Sequence, residues 1–204
     1  MTSRLKLTSV QIRWSARIAS LFCRSSPNGN FKSVSGLVDT DLWRLWLAVV
    51  VGNLKTLEYW EYKKGEFVQT YRSPQPLVNE ISRVVVSGSN DKAAVFIAIG
   101  SQIKGVTKRG KEFFKLDTSH TEQIMHLHVL GTNLWSAGAY TLNCYASANN
   151  TIADKYFFVC DDKINQMIVH HCDLSRSGNV EPFVLLACND SSIKVVDDAG
   201  HLMY

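Results

Sequence analysis

Residues 101–117 read SQIKGVTKRGKEFFKLD, two short β-patterned runs on either side of a Lys-Arg-Gly-Lys turn. Side chains of a strand alternate between its faces, and a glycine between charged neighbours supplies the positive φ that a tight hairpin needs, so the stretch reads as strand, turn, strand. Its spacing recurs. Ile103, Lys104 and Val106, then Gly110 six residues after the lysine, then Phe113 and Phe114, are answered upstream by Leu54, Lys55 and Leu57, with Gly65 and Phe67 in the equivalent places. Downstream stand Ile193, Lys194 and Val196, then Gly200 six residues after the lysine. The glycines at 65, 110 and 200 lie 45 and 90 residues apart, one and two periods of a single length.

A period of about 45 with strand patterning is what four-stranded propeller blades produce. The cause is burial: one blade exposes both faces and cannot cover its own apolar residues, so stability comes from stacking blade on blade around an axis. Each copy here has an apolar strand ahead of the lysine-bearing one, at 48–52, 95–100 and 184–189. The position 45 after Gly110 is Lys155 rather than glycine, and the polar stretch 143–154 reads as a longer connection, so the third blade is expected to have an irregular outer turn.

The predicted architecture is all-β, a partial WD-repeat-like β-propeller of three to four blades that does not close. A first blade starts at Leu42 with strands over 42–51, 54–62 and 67–71 and lacks an obvious opening strand. Trp43 and Trp46 read as inter-blade packing, and Ser73 to Pro76 (SPQP) as a connection, since proline cannot donate to a central ladder. A second blade is expected over 81–86, 93–99, 102–107 and 112–116, and a third over 124–130, 134–137, 140–146 and 156–160. The fourth covers 164–170, 184–188 and 192–196, and the chain reaches Tyr204 where its last strand should begin. An open stack leaves a blade face for a partner to cover.

Composition fits a globular chain long enough for a real core: 204 residues, 46% hydrophobic and 20% charged, which excludes a disordered or fibrous class. The longest apolar run, around 45–51, is strand-sized and far short of a membrane-spanning helix. Cys23, Cys144, Cys160, Cys172 and Cys188 are odd in number and scattered, which reads as reduced thiols in an intracellular protein.

The net charge of +4 is uneven. Residues 1–38 hold Arg4, Lys6, Arg13, Arg17, Arg24 and Lys32 and no acid, leaving 16 basic and 18 acidic side chains, a net of −2, for the rest. The blade region is thus near neutral and carries no general nucleic-acid signature. Two domains are expected: a basic, Ser-rich, disordered segment over 1–40 and propeller blades over 41–204. Leu5, Ile12, Ala16, Ala19 and Cys23 could line one helical face, as in a mitochondrial presequence, but an unstructured tail is the preferred reading.

Catalytic and metal chemistry find no constellation. His126 and His128 share a strand face at a spacing that could ligate zinc, but no third ligand stands at a recognisable interval. His170, His171, Cys172 and Asp173 alternate faces if extended and cannot converge without a bulge. Asp161 and Asp162 sit beside Lys163 in a turn, with no partner for acid-base work. No GxSxG, phosphate loop or GxGxxG is present, so neither an enzyme nor a cofactor is predicted.

The basic turn is the one candidate contact site. Lys104, Lys108, Arg109, Lys111 and Lys115 could meet phosphates, acidic lipid headgroups or an acidic protein patch. The competing and favoured reading is a solvated turn whose charges protect the blade's outer edge from aggregation.

Three runs carry a resemblance: SQIKGVTKRGKEFFKLDTSHTEQIMHLHVLGTNLW from Ser101, DKYFFVCDDKINQMIV from Asp154 and VLLACNDSSIKVV from Val184. In order and spacing they resemble the amino-terminal propeller of the Bardet-Biedl syndrome 7 family of BBSome subunits, over about 45–204. The resemblance implies a non-enzymatic scaffold or adaptor in a coat complex that moves membrane receptors into and out of cilia. It implies as partners the other BBSome subunits, especially the Bardet-Biedl syndrome 2 protein, ciliary receptor cargo, and a small Arf-like GTPase acting through the assembled complex. It also implies peripheral membrane association through that complex, at the cilium, basal body or centrosome, and in the cytoplasm. An unrelated propeller adaptor of vesicle coats or ubiquitin ligases is the alternative, and an enzyme or mitochondrial protein a third.

Overall fold

The computed structural model describes residues 33–39, 46–53, 55–63, 66–87, 94–107, 109–148, 151–172 and 181–203. These form four antiparallel sheets, each a meander whose strands pair in chain order, and no helix. The first sheet holds β1 (Ser33–Asp39), β2 (Trp46–Asn53), β3 (Thr56–Lys63) and β4 (Glu66–Arg72). The second holds β5 (Ile81–Ser87), β6 (Ala94–Ile99), β7 (Gln102–Thr107) and β8 (Glu112–Asp117). The third holds β9 (His126–Leu130), β10 (Asn133–Ala137), β11 (Thr141–Ala148) and β12 (Thr151–Val159). The fourth holds β13 (Ile164–Cys172), β14 (Glu181–Cys188) and β15 (Ile193–Val196), and Val196 bridges antiparallel to Leu202 where a further strand would start.

The opening strands β1, β5, β9 and β13 neighbour one another in turn, which is the arrangement of blades around a propeller axis. Between the sheets lies the core. Leu57 and Tyr59 of β3 meet Ile81, Val95 and Ile97 of the second sheet. Ala98 and Ile103 face the other way, onto Leu127, Leu134 and Tyr145 of the third. Trp135, Leu142 and Cys144 then face Val169, Val184 and Leu186 of the fourth. Successive residues of β6 and β10 thus serve opposite neighbours, which is why these strands are apolar at consecutive positions rather than alternating. Each fully buried aliphatic side chain contributes about 1.5–3 kcal/mol, so the stacking of sheets stabilises what no sheet could hold alone.

The stack does not close on its last side. β14 turns Phe183 and Leu185 away from the third sheet, and their neighbours Ile168 and Ile193 are 52% and 65% exposed.

Two sequence expectations are corrected. The first sheet has its opening strand: β1 pairs with β2 from Ser33↔Gly52 to Asp39↔Trp46, so residues 33–39 belong to the sheet and not to a disordered segment. Residues 1–32, and with them the helical-face reading, lie outside the described residues, as does Trp43. The third sheet has no long connection over 143–154. β11 runs to Ala148 and β12 starts at Thr151, with a bulge at Cys144/Tyr145, and Lys155 is a strand residue. Gly110 and Gly200 have the turn conformation expected of them, with φ of 76° and 88°, while Gly65 lies outside the described residues.

Candidate functional site

The β7–β8 hairpin closes on itself: Thr107 N donates to Lys111 O at 2.9 Å, Gly110 N donates to Thr107 O at 2.8 Å, and Lys111 N donates to Thr107 Oγ1 at 3.2 Å. Gly110 sits against the Tyr71 ring, leaving no room for a Cβ and anchoring the hairpin tip to the first sheet. The expected basic cluster is then divided. Lys104 Nζ is bound to Glu112 at 2.9 Å, and Lys115 lies 3.7 Å from Asp117. Arg109 and Lys111 are exposed and form no ion pair with any described residue, while Lys108 lies outside the described residues.

Beyond the turn the ladder slips. Gly105 pairs with Phe114 and Val106 with Glu112, so Phe113 is a bulge residue with no partner opposite. A bulge puts consecutive side chains on one face, and both phenylalanines crowd the space where Gly105 has no side chain. Phe96 meets both edge-on, with ring centroids 5.8 Å and 6.0 Å apart. These three rings form one wall of a groove of about 390 Å³ whose other wall is Val129, Leu134 and Ile152 of the third sheet. Thr132, Asn133 and Ser147 add polar groups to its lining.

The histidines serve the framework. His120 is buried, with Nδ1 2.7 Å from Thr141 Oγ1 and Nε2 2.8 Å from Ser136 Oγ, clamping the β8–β9 connection to the third sheet. Desolvation pushes its pKa down, against opposing contributions from Ser136 and Glu122. His126 is buried and lowered to about 4, by desolvation first and then by the Arg83 guanidinium. The Arg83 side chain in turn donates to the Met125 carbonyl. His128 lies beside Trp135, their ring centroids 6.1 Å apart, and His170 meets Phe183 edge-on at 5.5 Å. Among the described residues no three His, Cys, Asp or Glu side chains come together as a metal-binding group. The side chains of His171 and Cys172, and the whole of Asp173, lie outside the described residues.

Asp161 is committed to Lys194, whose ammonium lies 2.6 Å away; that hydrogen bond holds the carboxyl below its ordinary range and raises the lysine. Asp162 Oδ1 caps Lys163 N at 2.7 Å. Neither the Asp161–Lys194 pair nor the aromatic groove was expected from sequence. The signal for the pair was the recurrence of Lys104 at Lys194, each in the third strand of its sheet and each meeting an acid.

Residues 47–204 match the family model described as BBS7 beta-propeller. The chain belongs to the BBS7 beta-propeller family. It is 31% identical over 171 residues to the mouse protein named BBSome complex member BBS7, covering 82% of this chain and 22% of that relative. It is 23% identical over 111 residues to the Caenorhabditis elegans protein named BBSome complex member bbs-7, covering 54% of this chain and 15% of that one. The chain therefore spans less than a quarter of the length of the curated relatives it matches. In this BBS7-type propeller the matched stretch begins inside β2, so β1 precedes it and still completes the first sheet.

Proposed function

We propose that this chain is a non-enzymatic scaffold subunit of the BBSome, acting in ciliary membrane-protein trafficking and cilium assembly through protein contacts. The observation that carries the reading is the 31% identity to a BBSome complex member across 82% of the chain. What supports the scaffold role physically is the way side chains of one sheet pack on the next: Ala98 and Ile103 on Leu127, Leu134 and Tyr145, and Trp135 and Leu142 on Val184 and Leu186. A stack of sheets with close-packed apolar side chains between neighbours resists deformation, which suits a surface against which other subunits dock.

The partners in this reading are the other BBSome subunits, in particular the Bardet-Biedl syndrome 2 protein, with receptor cargo and a small Arf-like GTPase reached through the assembled complex. Its location is the cilium, the basal body or centrosome, and the cytoplasm, with membrane contact through the complex. Residues 1–32 act as a basic tail in this account, and 33–203 as the blades. The Lys108 to Lys111 turn is a contact for an acidic partner.

Affinity purification of the chain, tagged at its carboxyl end, from a ciliated cell of its source organism tests the reading. Recovery of other BBSome subunits by mass spectrometry is the expected result. A partner set drawn from ubiquitin ligases, vesicle coats or mitochondria contradicts it.

A further inference from the structure

We propose that the groove between the second and third sheets, together with Arg109 and Lys111 beside it, binds an extended acidic peptide of a partner protein through one large apolar side chain. This goes beyond membership of the BBSome and does not depend on it.

The groove is a built feature. Three sequence events create it at the edge of the core between the two sheets: glycine at 105, the bulge at Phe113 and a second phenylalanine at 114, which packs against that core. Phe113 is left 51% exposed although its ring is fixed edge-on to Phe96. An aromatic packed on one side and half in water is the arrangement of an anchor wall, because its ring offers a large apolar face to a partner. The volume of about 390 Å³ is at the small end of ligand sites, room for one large side chain and its flanking backbone. Thr132 and Asn133 offer a hydroxyl and an amide to that backbone.

Charge selects the occupant. Lys104 and Lys115 are answered by Glu112 and Asp117, but Arg109 and Lys111 are answered by no described residue. Lys111 is two residues from Phe113, so its backbone lies within roughly 7 Å of the groove wall. A carboxylate one or two residues from the anchoring side chain can therefore reach a cation while the anchor is seated. The chain's own residues 1–32 are a poor occupant, because they carry six basic side chains and no acid.

The test is fluorescence anisotropy on the full 204-residue chain. The probes are fluorescein-labelled peptides Gly-Glu-Asp-X-Leu-Asp-Glu-Gly with X as Phe, Trp, Leu or Tyr. Control peptides carry Ser at X and at the following Leu, or amides in place of the four acids. At least one anchored acidic peptide is expected to bind roughly tenfold more tightly than both of its controls. Its affinity should fall severalfold between about 50 and about 500 mM salt. Arg109→Glu with Lys111→Glu should abolish the preference for acid, and Phe113→Ser the preference for the anchor. Thr132→Glu, at an exposed position in the groove lining, should block binding of the acidic peptide with the circular dichroism spectrum unchanged. Equal binding of anchored and control peptides, or no binding by any of the four up to about 1 mM, overturns the proposal. So does association with phosphatidylserine vesicles, lost in the charge-reversed variant, when no peptide binds; the two cations would then be a lipid contact. None of these outcomes bears on co-purification with BBSome subunits, so this inference and the scaffold reading fail separately.

Discussion

Gly105 and Phe113 share one volume: a Cβ built on Gly105 would lie 2.7 Å from the Phe113 ring and 2.9 Å from Phe114 Cβ. The absent side chain on β7 is therefore what lets the bulged β8 turn two aromatic rings onto the groove face. Gly105→Ala must push Phe113 outward or strain the bulge. The expected cost is about 1–3 kcal/mol by urea denaturation, typical of overpacking. Phe113→Ala made in addition should recover part of the loss, since it removes the ring that clashes; a simple sum of the two single effects would contradict the shared volume.

Burial between sheets separates positions that look alike in sequence. Ile103 is fully buried between the second and third sheets, whereas Ile193, its repeat equivalent at the start of the IK pair, is 65% exposed. Ile103→Ala should cost about 2–5 kcal/mol through lost burial and the cavity left behind. Ile193→Ala should fall within about 0.5 kcal/mol. Chemical denaturation of the two variants measures the difference directly.

Acid should weaken the fold through His126. Its pKa falls from 6.5 to about 4, so between those values the unfolded chain binds more protons than the folded one and stability rises with pH. The contribution is complete above about pH 6.5 and is lost on acidification towards pH 4. A tenfold change in proton affinity corresponds to about 1.4 kcal/mol, which makes the full effect on the order of 3 kcal/mol. Thermal melts from pH 7 to pH 4 should show His126→Gln falling less steeply than the parent chain. Parallel curves would remove His126 as the cause.

The buried thiols predict the opposite limb. Burial pushes Cys144 up to about 12 and Cys188 to about 11, the latter also raised by Cys160, whose sulfur is 3.4 Å away. A folded pKa above the unfolded value of about 9 means stability is full below pH 9 and declines as pH rises towards 11 and 12. Cys144→Ala should flatten that decline. Because the thiolate is the nucleophile, Cys144 and Cys188 should also alkylate at pH 8 roughly a hundredfold more slowly in the folded chain than in urea. Mass spectrometry of iodoacetamide-treated protein reads this residue by residue.

Most of the architecture was legible because propeller blades repeat. The second sheet lies where the Gly110 hairpin and its flanking apolar runs place it, and the fourth sheet is marked by Ile193, Lys194 and Gly200. β1 was hidden. Its sequence SVSGLVD is small-residue rich and adjoins a basic stretch, and its partner is a strand further along the chain, a tertiary contact that composition does not announce. β12 was partly missed for a different reason: as the outer strand of its sheet it carries Thr151, Asp154 and Lys155, which read as loop. The groove was illegible because Phe113 and Phe114, as neighbours on an ideal strand, belong to opposite faces. Only the register slip at Gly105/Val106 brings them together. Of the basic turn, sequence located the cations but not the acids that occupy Lys104 and Lys115.

The most direct test of the scaffold role is size fractionation of a native extract from ciliated cells expressing the tagged chain near its natural level. A BBSome scaffold is expected to migrate in a high-mass fraction together with other BBSome subunits. Ile168→Asp with Ile193→Asp, on the uncovered face of the fourth sheet, should reduce that fraction. Migration of the wild-type chain at its own mass of 22.9 kDa, clear of every BBSome subunit, would contradict the scaffold role.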